Sequence, residues 1–195
     1  MELNVNGVKD PINKILWDEI KADRAAGGFT LVNTALSGLA YLLKGAPISV
    51  DYTTREAKVV KTATVITGGT TTKTRISKGS AFKIGDAVSQ TVGGIAVAIT
   101  AIDDTNAAYT ELTHLTVSTA FTAGNVVFEA DAVGATSAYA NIANALLSDN
   151  VKTATATGST TVTAVIGALE VQEANLPFPI STAIKTALTN RFQFI

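Results

Sequence analysis

Few side chains of this 195-residue chain could do chemistry, and they are scattered. His114 is the only histidine, so any Ser–His–Asp arrangement must pass through it. It stands inside the strand pattern Thr113–Val117, where it reads as a ring satisfied by a neighbour. Asp103, Asp104 and Asn106 offer oxygens to a Ca²⁺ ion, but the Asp-x-Asp-x-Asp-Gly register and a distal bidentate Glu are missing. Side chains bonding their own backbone in a turn account for them better. Glu129 and Asp131 are two carboxylates close in sequence, as acid–base hydrolysis of a glycoside requires, yet no second component is identifiable. Gly68-Gly69 runs into threonines rather than a helix, and neither G-x-G-x-x-G nor G-x-x-x-x-G-K-(S/T) occurs, so no phosphate cradle is expected. The absence of cysteine removes disulfides, thiolate metal sites and a Cys nucleophile. Phe192, Phe194 and Ile195 form an apolar tail that reads equally as an exposed association site or a last edge strand. No catalytic, cofactor-binding or metal-ligating residue is assigned, no cofactor is expected, and the chain reads as a non-enzyme.

The elements that must position these residues centre on Lys73–Ala130, a run of short strands punctuated by turns. Ile84-Gly85-Asp86-Ala87-Val88 and Ala123-Gly124-Asn125-Val126-Val127 share one form, apolar–Gly–(Asp/Asn)–apolar–Val. Gly68–Thr72, Gly93-Gly94 and Asp103–Asn106 are hairpin tips. Ala57–Thr67 alternates, with Val59, Ala63 and Val65 on one side and Val60 and Ile66 as exceptions. Lys73–Lys78 is a polar strand whose cations suit a solvated edge.

Upstream, residues 1–10 read as an arm, and Asp10 and Pro11 open an amphipathic helix over about 12–25 that Gly27-Gly28 ends. Phe29–Val32 suits an edge strand, and the leucines of Asn33–Gly45 suit a helical turn weakened by Gly38. Downstream, Ser137–Leu147 is rich in helix-forming Ala and Leu. Gly158-Ser159 signals a hairpin between Val151–Thr157 and Thr160–Ile166, and Gly167 is expected to break the second strand. Ser181 caps a last helix over Thr182–Thr189. The expected fold is α+β: a central antiparallel β barrel or sandwich, a short N-terminal helix and two helices in the C-terminal third. The expected divisions are 1–56 (arm, helix and edge strand), 57–132 (barrel or sandwich) and 133–195 (a helix–hairpin–helix module on the same core).

Charged residues make up 16% of the chain and hydrophobic residues 47%, with a net charge of −1. That balance gives no electrostatic reason to expect nucleic acid or an anionic membrane as partner. A nearly neutral surface favours association, which suits a chain that sits in an assembly. Met1–Asp10 lacks the apolar core of a secretory signal, and Gly93–Ile102 is too short to span a bilayer, so production in a cytoplasm without an export tag is expected.

Several blocks then resemble a known family. Leu43-Lys44-Gly45-Ala46-Pro47-Ile48-Ser49-Val50-Asp51, Thr53-Thr54-Arg55 and Ala57-Lys58-Val59-Val60-Lys61 are similar to a segment of phage head-fibre-like virion proteins. The likeness continues in Lys78-Gly79, Phe82-Lys83-Ile84-Gly85-Asp86 and Ile99-Thr100-Ala101-Ile102-Asp103, and ends with Leu176-Pro177-Phe178-Pro179. The resemblance implies a non-enzymatic, capsid-associated protein of Bacteroides-type tailed phages or prophages. It implies the major capsid protein as partner, a virion location on the capsid surface and a homo-oligomer, with a trimer favoured. The long Gly-rich repeats of a slender fibre shaft are missing, so a globular decoration or auxiliary protein is expected. A bacterial surface or adhesin-type binding module is the alternative, and a small glycan hydrolase is a further rival that needs two carboxylates converging in a cleft.

Overall fold

Short strands dominate the chain, and they sort into a closed barrel and a larger open sheet. The computed structural model describes residues 15–32, 36, 39–153, 160–188 and 190–195. Strands β1 (Asp23–Arg24), β2 (Phe29–Leu31), β3 (Tyr41–Leu42), β4 (Pro47–Val50) and β5 (Glu56–Val59) come first. The middle strands are β6 (Thr62–Ile66), β7 (Lys73–Ile76), β8 (Ala87–Ser89), β9 (Val97–Asp103), β10 (Thr110–His114) and β11 (Val126–Ala130). Then follow β12 (Ala145–Leu147), β13 (Val151–Lys152), β14 (Thr160–Val162), β15 (Ala164–Val171), helix α1 (Thr182–Leu188) and β16 (Phe192–Phe194).

The six middle strands close into an antiparallel barrel, in the order β10-β7-β6-β11-β8-β9. Ala63 and Val65 of β6 meet Ile76, Val88, Val97, Ile99, Leu112 and Val127 inside it. Closure leaves these strands no free edge. The hairpin tips expected at 68–72, 93–94 and 103–106 join β6 to β7, β8 to β9 and β9 to β10.

Eight of the remaining strands form a sheet, ordered β1-β15-β12-β4-β5-β2-β14, with β16 added parallel to β15, and β3 and β13 pair separately. Residues before and after the barrel therefore share one sheet. β12 lies between β15 and β4, and all three of its residues are buried. Ala145 and Leu147 join the core on one face, and Leu146 joins the core on the other with Ile184 and Leu188 of α1. A strand covered on both faces is apolar throughout and shows no alternation.

This architecture overturns the α+β expectation. The described residues are mostly β, with one α-helix, the terminal one. Ser137–Leu147 is not a helix: Tyr139 bridges Ala130, Asn144 clamps Val50, and Ala145–Leu147 is a central strand. Helix propensity differs by less than about 1 kcal/mol per residue among these side chains, and the two-sided burial of β12 overrides it. The helix over 12–25 is absent across its described part, which holds a 3₁₀ turn at Glu19–Lys21 and then β1. The helical spacing expected there runs through Ile12, Ile15, Leu16 and Ile20 with Trp17 beside it. Leu16 and Trp17 are buried while Ile15 and Ile20 are exposed, so the stripe does not share one buried face. Residues 1–14 lie outside the described residues, as do Gly38 and Gly158-Ser159.

Smaller expectations also change. β2 sits between β5 and β14 and is not an edge strand. Ala57–Thr67 divides, because the chain leaves the sheet and enters the barrel at Val60-Lys61. β13 pairs with β3 and β14 with β2, so the flanks of Gly158-Ser159 take different partners. Gly167 does not break β15; a Cβ there would stand 3.2 Å from the Arg191 carbonyl oxygen and 3.3 Å from Asp23 Oδ2, so glycine admits both neighbours. Ser181 does cap α1, its hydroxyl accepting from Ile184 N–H at 3.3 Å.

Candidate functional site

Every second residue of a strand faces the same side. Continuing the inward register of β6 backwards from Val65 and Ala63 reaches Lys61. Continuing β11 from Val127 reaches Glu129, and stepping back from Val88 of β8 reaches Asp86. These three side chains meet at one end of the barrel. Lys61 Nζ lies 2.5 Å from Asp86 Oδ2 and 2.8 Å from Glu129 Oε1. Lys61 is 1% exposed and Asp86 6% exposed, so water screens neither contact.

The backbone holds the group in place. Glu129 N–H donates to the Lys61 carbonyl at 3.0 Å, fixing β11 beside the start of β6. Gly85, at φ +95°, makes the turn that delivers Asp86. Lys83 N–H then donates to Asp86 Oδ2 at 2.9 Å. Burial pushes the Glu129 carboxyl above its ordinary pKa; the Lys61 ammonium opposes that shift and the neighbouring Asp86 adds to it. One ammonium thus faces two carboxyls in a site shielded from solvent.

At the opposite end of the barrel, His114 is buried within β10. Its Nδ1 donates to the Leu115 carbonyl at 2.8 Å, and its Nε2 accepts from the Thr74 hydroxyl at 2.8 Å. Both nitrogens are thereby engaged. Asp103 Oδ1 accepts from Thr105 N–H at 3.0 Å, and Asn106 Oδ1 accepts from Ala108 N–H at 2.9 Å. Asp104 pairs with Lys78 at 2.6 Å. Bonds from the Thr105 hydroxyl to Asp103 and from Lys78 to Asp104 lower both carboxyl pKa values. These are the bonds of a turn and a surface pair. Glu129 and Asp131 do not converge, since Asp131 accepts from Ala138 N–H at 2.9 Å on the exposed side. Lys73 and Arg75 share Glu111 across the β7–β10 pair, at 2.5 and 3.4 Å.

The tail forms β16 alongside β15: Phe192 is buried, Phe194 is half-buried, and Ile195 is 60% exposed. Leu16 O accepts from Gln172 N–H and Ile195 O accepts from Glu173 N–H, which brings residues 15–16, 172–173 and 195 together. Ile15, 84% exposed, and Ile195 therefore stand on the same end of the sheet. A groove of about 640 Å³ runs from Ile195 past Leu176 and Pro177 to Val126 and Lys78 at the barrel wall.

Sequence reasoning missed the Lys61–Asp86–Glu129 group. The available signal was a charge on the inward register of two strands that otherwise carry Ala and Val there. Among the described residues no cluster of three His, Cys, Asp or Glu side chains could hold a metal ion, and no helix is long and apolar enough to cross a membrane. Comparison with protein-family models, with curated proteins and with solved structures gave no match.

Proposed function

We propose that this chain is a structural, non-enzymatic virion protein that attaches to a phage capsid as an auxiliary or decoration protein, in a homo-oligomer. The observation that carries the reading is the apolar end of the large sheet, where Ile15 and Ile195 face solvent beside the groove at Leu176 and Pro177. Exposed aliphatic side chains gathered next to a groove suit contact with another protein. The block resemblance from Leu43 to Pro179 supplies the class of that partner, the major capsid protein. The closed barrel beside this surface suits a rigid module. The two carboxyls that converge do so on a buried ammonium rather than in an open cleft, which favours a structural role over glycan hydrolysis.

Light scattering and co-sedimentation with empty capsids test the reading together. An oligomer that sediments with capsids is expected. A monomer with no capsid affinity that is retained on glycans or a host surface protein would select the bacterial surface module instead.

A further inference from the structure

The geometry points to a covalent modification: an intramolecular amide between the Lys61 side-chain nitrogen and the Asp86 side-chain carboxyl, formed with Glu129 as the proton carrier. This inference does not rest on the virion reading, because it concerns only the barrel.

Three observations support it. First, the nucleophile and the acyl carbon's own oxygen already touch: Lys61 Nζ is 2.5 Å from Asp86 Oδ2, with both side chains sealed from solvent. Reacting groups held at that range are placed for attack without any domain movement. Second, Lys83 N–H donates to Asp86 Oδ2 at 2.9 Å. A backbone donor on that oxygen stabilises the negative charge that develops there when nitrogen adds to the carbon. Third, Glu129 Oε1 lies 2.8 Å from the same nitrogen, on β11, the strand that separates β6 from β8. Its side chain is 17% exposed, which leaves a route for water to depart. Burial also favours the protonated form of Glu129, the form needed to hand on a proton.

The step balances without an added reagent. The ammonium of Lys61 passes a proton to the Asp86 carboxylate beside it and becomes an amine. The amine lone pair attacks Cγ of the protonated Asp86 carboxyl, and the negative charge collects on Oδ2. Protonated Glu129 delivers its proton to the hydroxyl at Oδ1 and takes one from nitrogen in return. The C–Oδ1 bond breaks, the C–N bond remains, and one water leaves. Carboxylic acid and amine become amide and water, with no oxidation or reduction. The bond would tie the entry of β6 to the entry of β8, two strands that pair with β11 and not with each other. It would lock that end of the barrel.

Intact mass spectrometry of the full chain under denaturing conditions decides the matter. The wild-type protein is expected one water, about 18 Da, below its sequence mass. Proteolysis should leave a branched peptide with cleavage after Lys61 suppressed, and fragmentation should place the branch on Asp86. Lys61→Arg should return to the full sequence mass. Glu129→Gln, which keeps the side-chain shape and removes the proton carrier, should accumulate uncrosslinked chain. A wild-type chain of full sequence mass, cleaved normally after Lys61, overturns the proposal whether or not either variant folds. A branch found on Glu129 overturns the assignment of Asp86 as the acyl partner.

Discussion

Lys61→Met removes the side-chain nitrogen at the barrel end, whether it stands as the ammonium or in the amide proposed above, while keeping an unbranched side chain of similar length. Asp86 and Glu129 then remain in a site where residue 61 is 1% exposed, without the cation that stood 2.5 Å from one and 2.8 Å from the other. Breaking a buried pair by removing one partner costs about 3–5 kcal/mol, because the other charge is left uncompensated. A folded domain has only about 5–15 kcal/mol in total, so the variant should lose a large share of its stability. With a urea dependence of about 1–3 kcal/mol per molar, the unfolding midpoint should fall by about 2 M. The sign of the pH dependence is fixed by the same geometry. Burial already pushes the Glu129 carboxyl up, and losing the Lys61 ammonium removes what opposed that shift, so its folded pKa stands further above the unfolded one. Such groups contribute stability that is complete below about pH 4.5 and is lost as pH rises through the folded value. The deficit of Lys61→Met against wild type should therefore be largest at neutral pH and shrink on acidification toward pH 4.5. Urea titrations followed by fluorescence of Trp17 between pH 4.5 and 8 measure it. A midpoint within about 0.3 M of wild type at pH 7, or a deficit that does not shrink in acid, would refute the view that Lys61, as ammonium or as amide, neutralises the buried carboxyls.

Glu129→Gln separates one carboxyl from the group. Burial raises the Glu129 pKa above 4.5, so wild-type stability relative to the variant should decline as pH rises from 4.5 through the folded value; a relative stability that climbs over that range would contradict the raised pKa. Asn144→Ala should cost about 1–3 kcal/mol in chemical denaturation, because the backbone N–H and carbonyl of Val50 lose their partners at 2.8 and 2.9 Å, and an unchanged midpoint would mean that water replaces the clamp.

The barrel was legible because its strands have one face inside. Ala63 and Val65, Val97 and Ile99, and Leu112 announce that face by alternation, and Gly or Asp marks each tip. The eight-stranded sheet was not legible for the converse reason. Ala145-Leu146-Leu147 fills cores on both faces, so the run carries no strand period, and alanine and leucine then suggest a helix. Its partners, β15 and β4, lie far along the chain, and no local signal specifies pairing over that distance. The N-terminal segment misled in another way. Leu16 and Trp17 are adjacent and both buried, a pattern that serves an irregular chain held down by Gln172, whereas Ile15 and Ile20, which share the helical spacing with Leu16, face solvent. The site at the barrel end was half legible. Lys61 and Glu129 stand on inward registers, where a charge must find a partner, but Asp86 was absorbed into a Gly-Asp turn and only the three-dimensional closure brings it to them.

The central claim, attachment to a capsid through the apolar end of the sheet, is tested most directly by co-sedimentation of empty capsids with the wild-type chain and with an Ile15→Asp, Ile195→Asp double variant. Both side chains are exposed, so the substitutions should leave the fold intact, as circular dichroism would verify. Wild type is expected to sediment with capsids, and the double variant, folded, to stay in the supernatant. Equal sedimentation of the two, or no sedimentation of either, would contradict the claim.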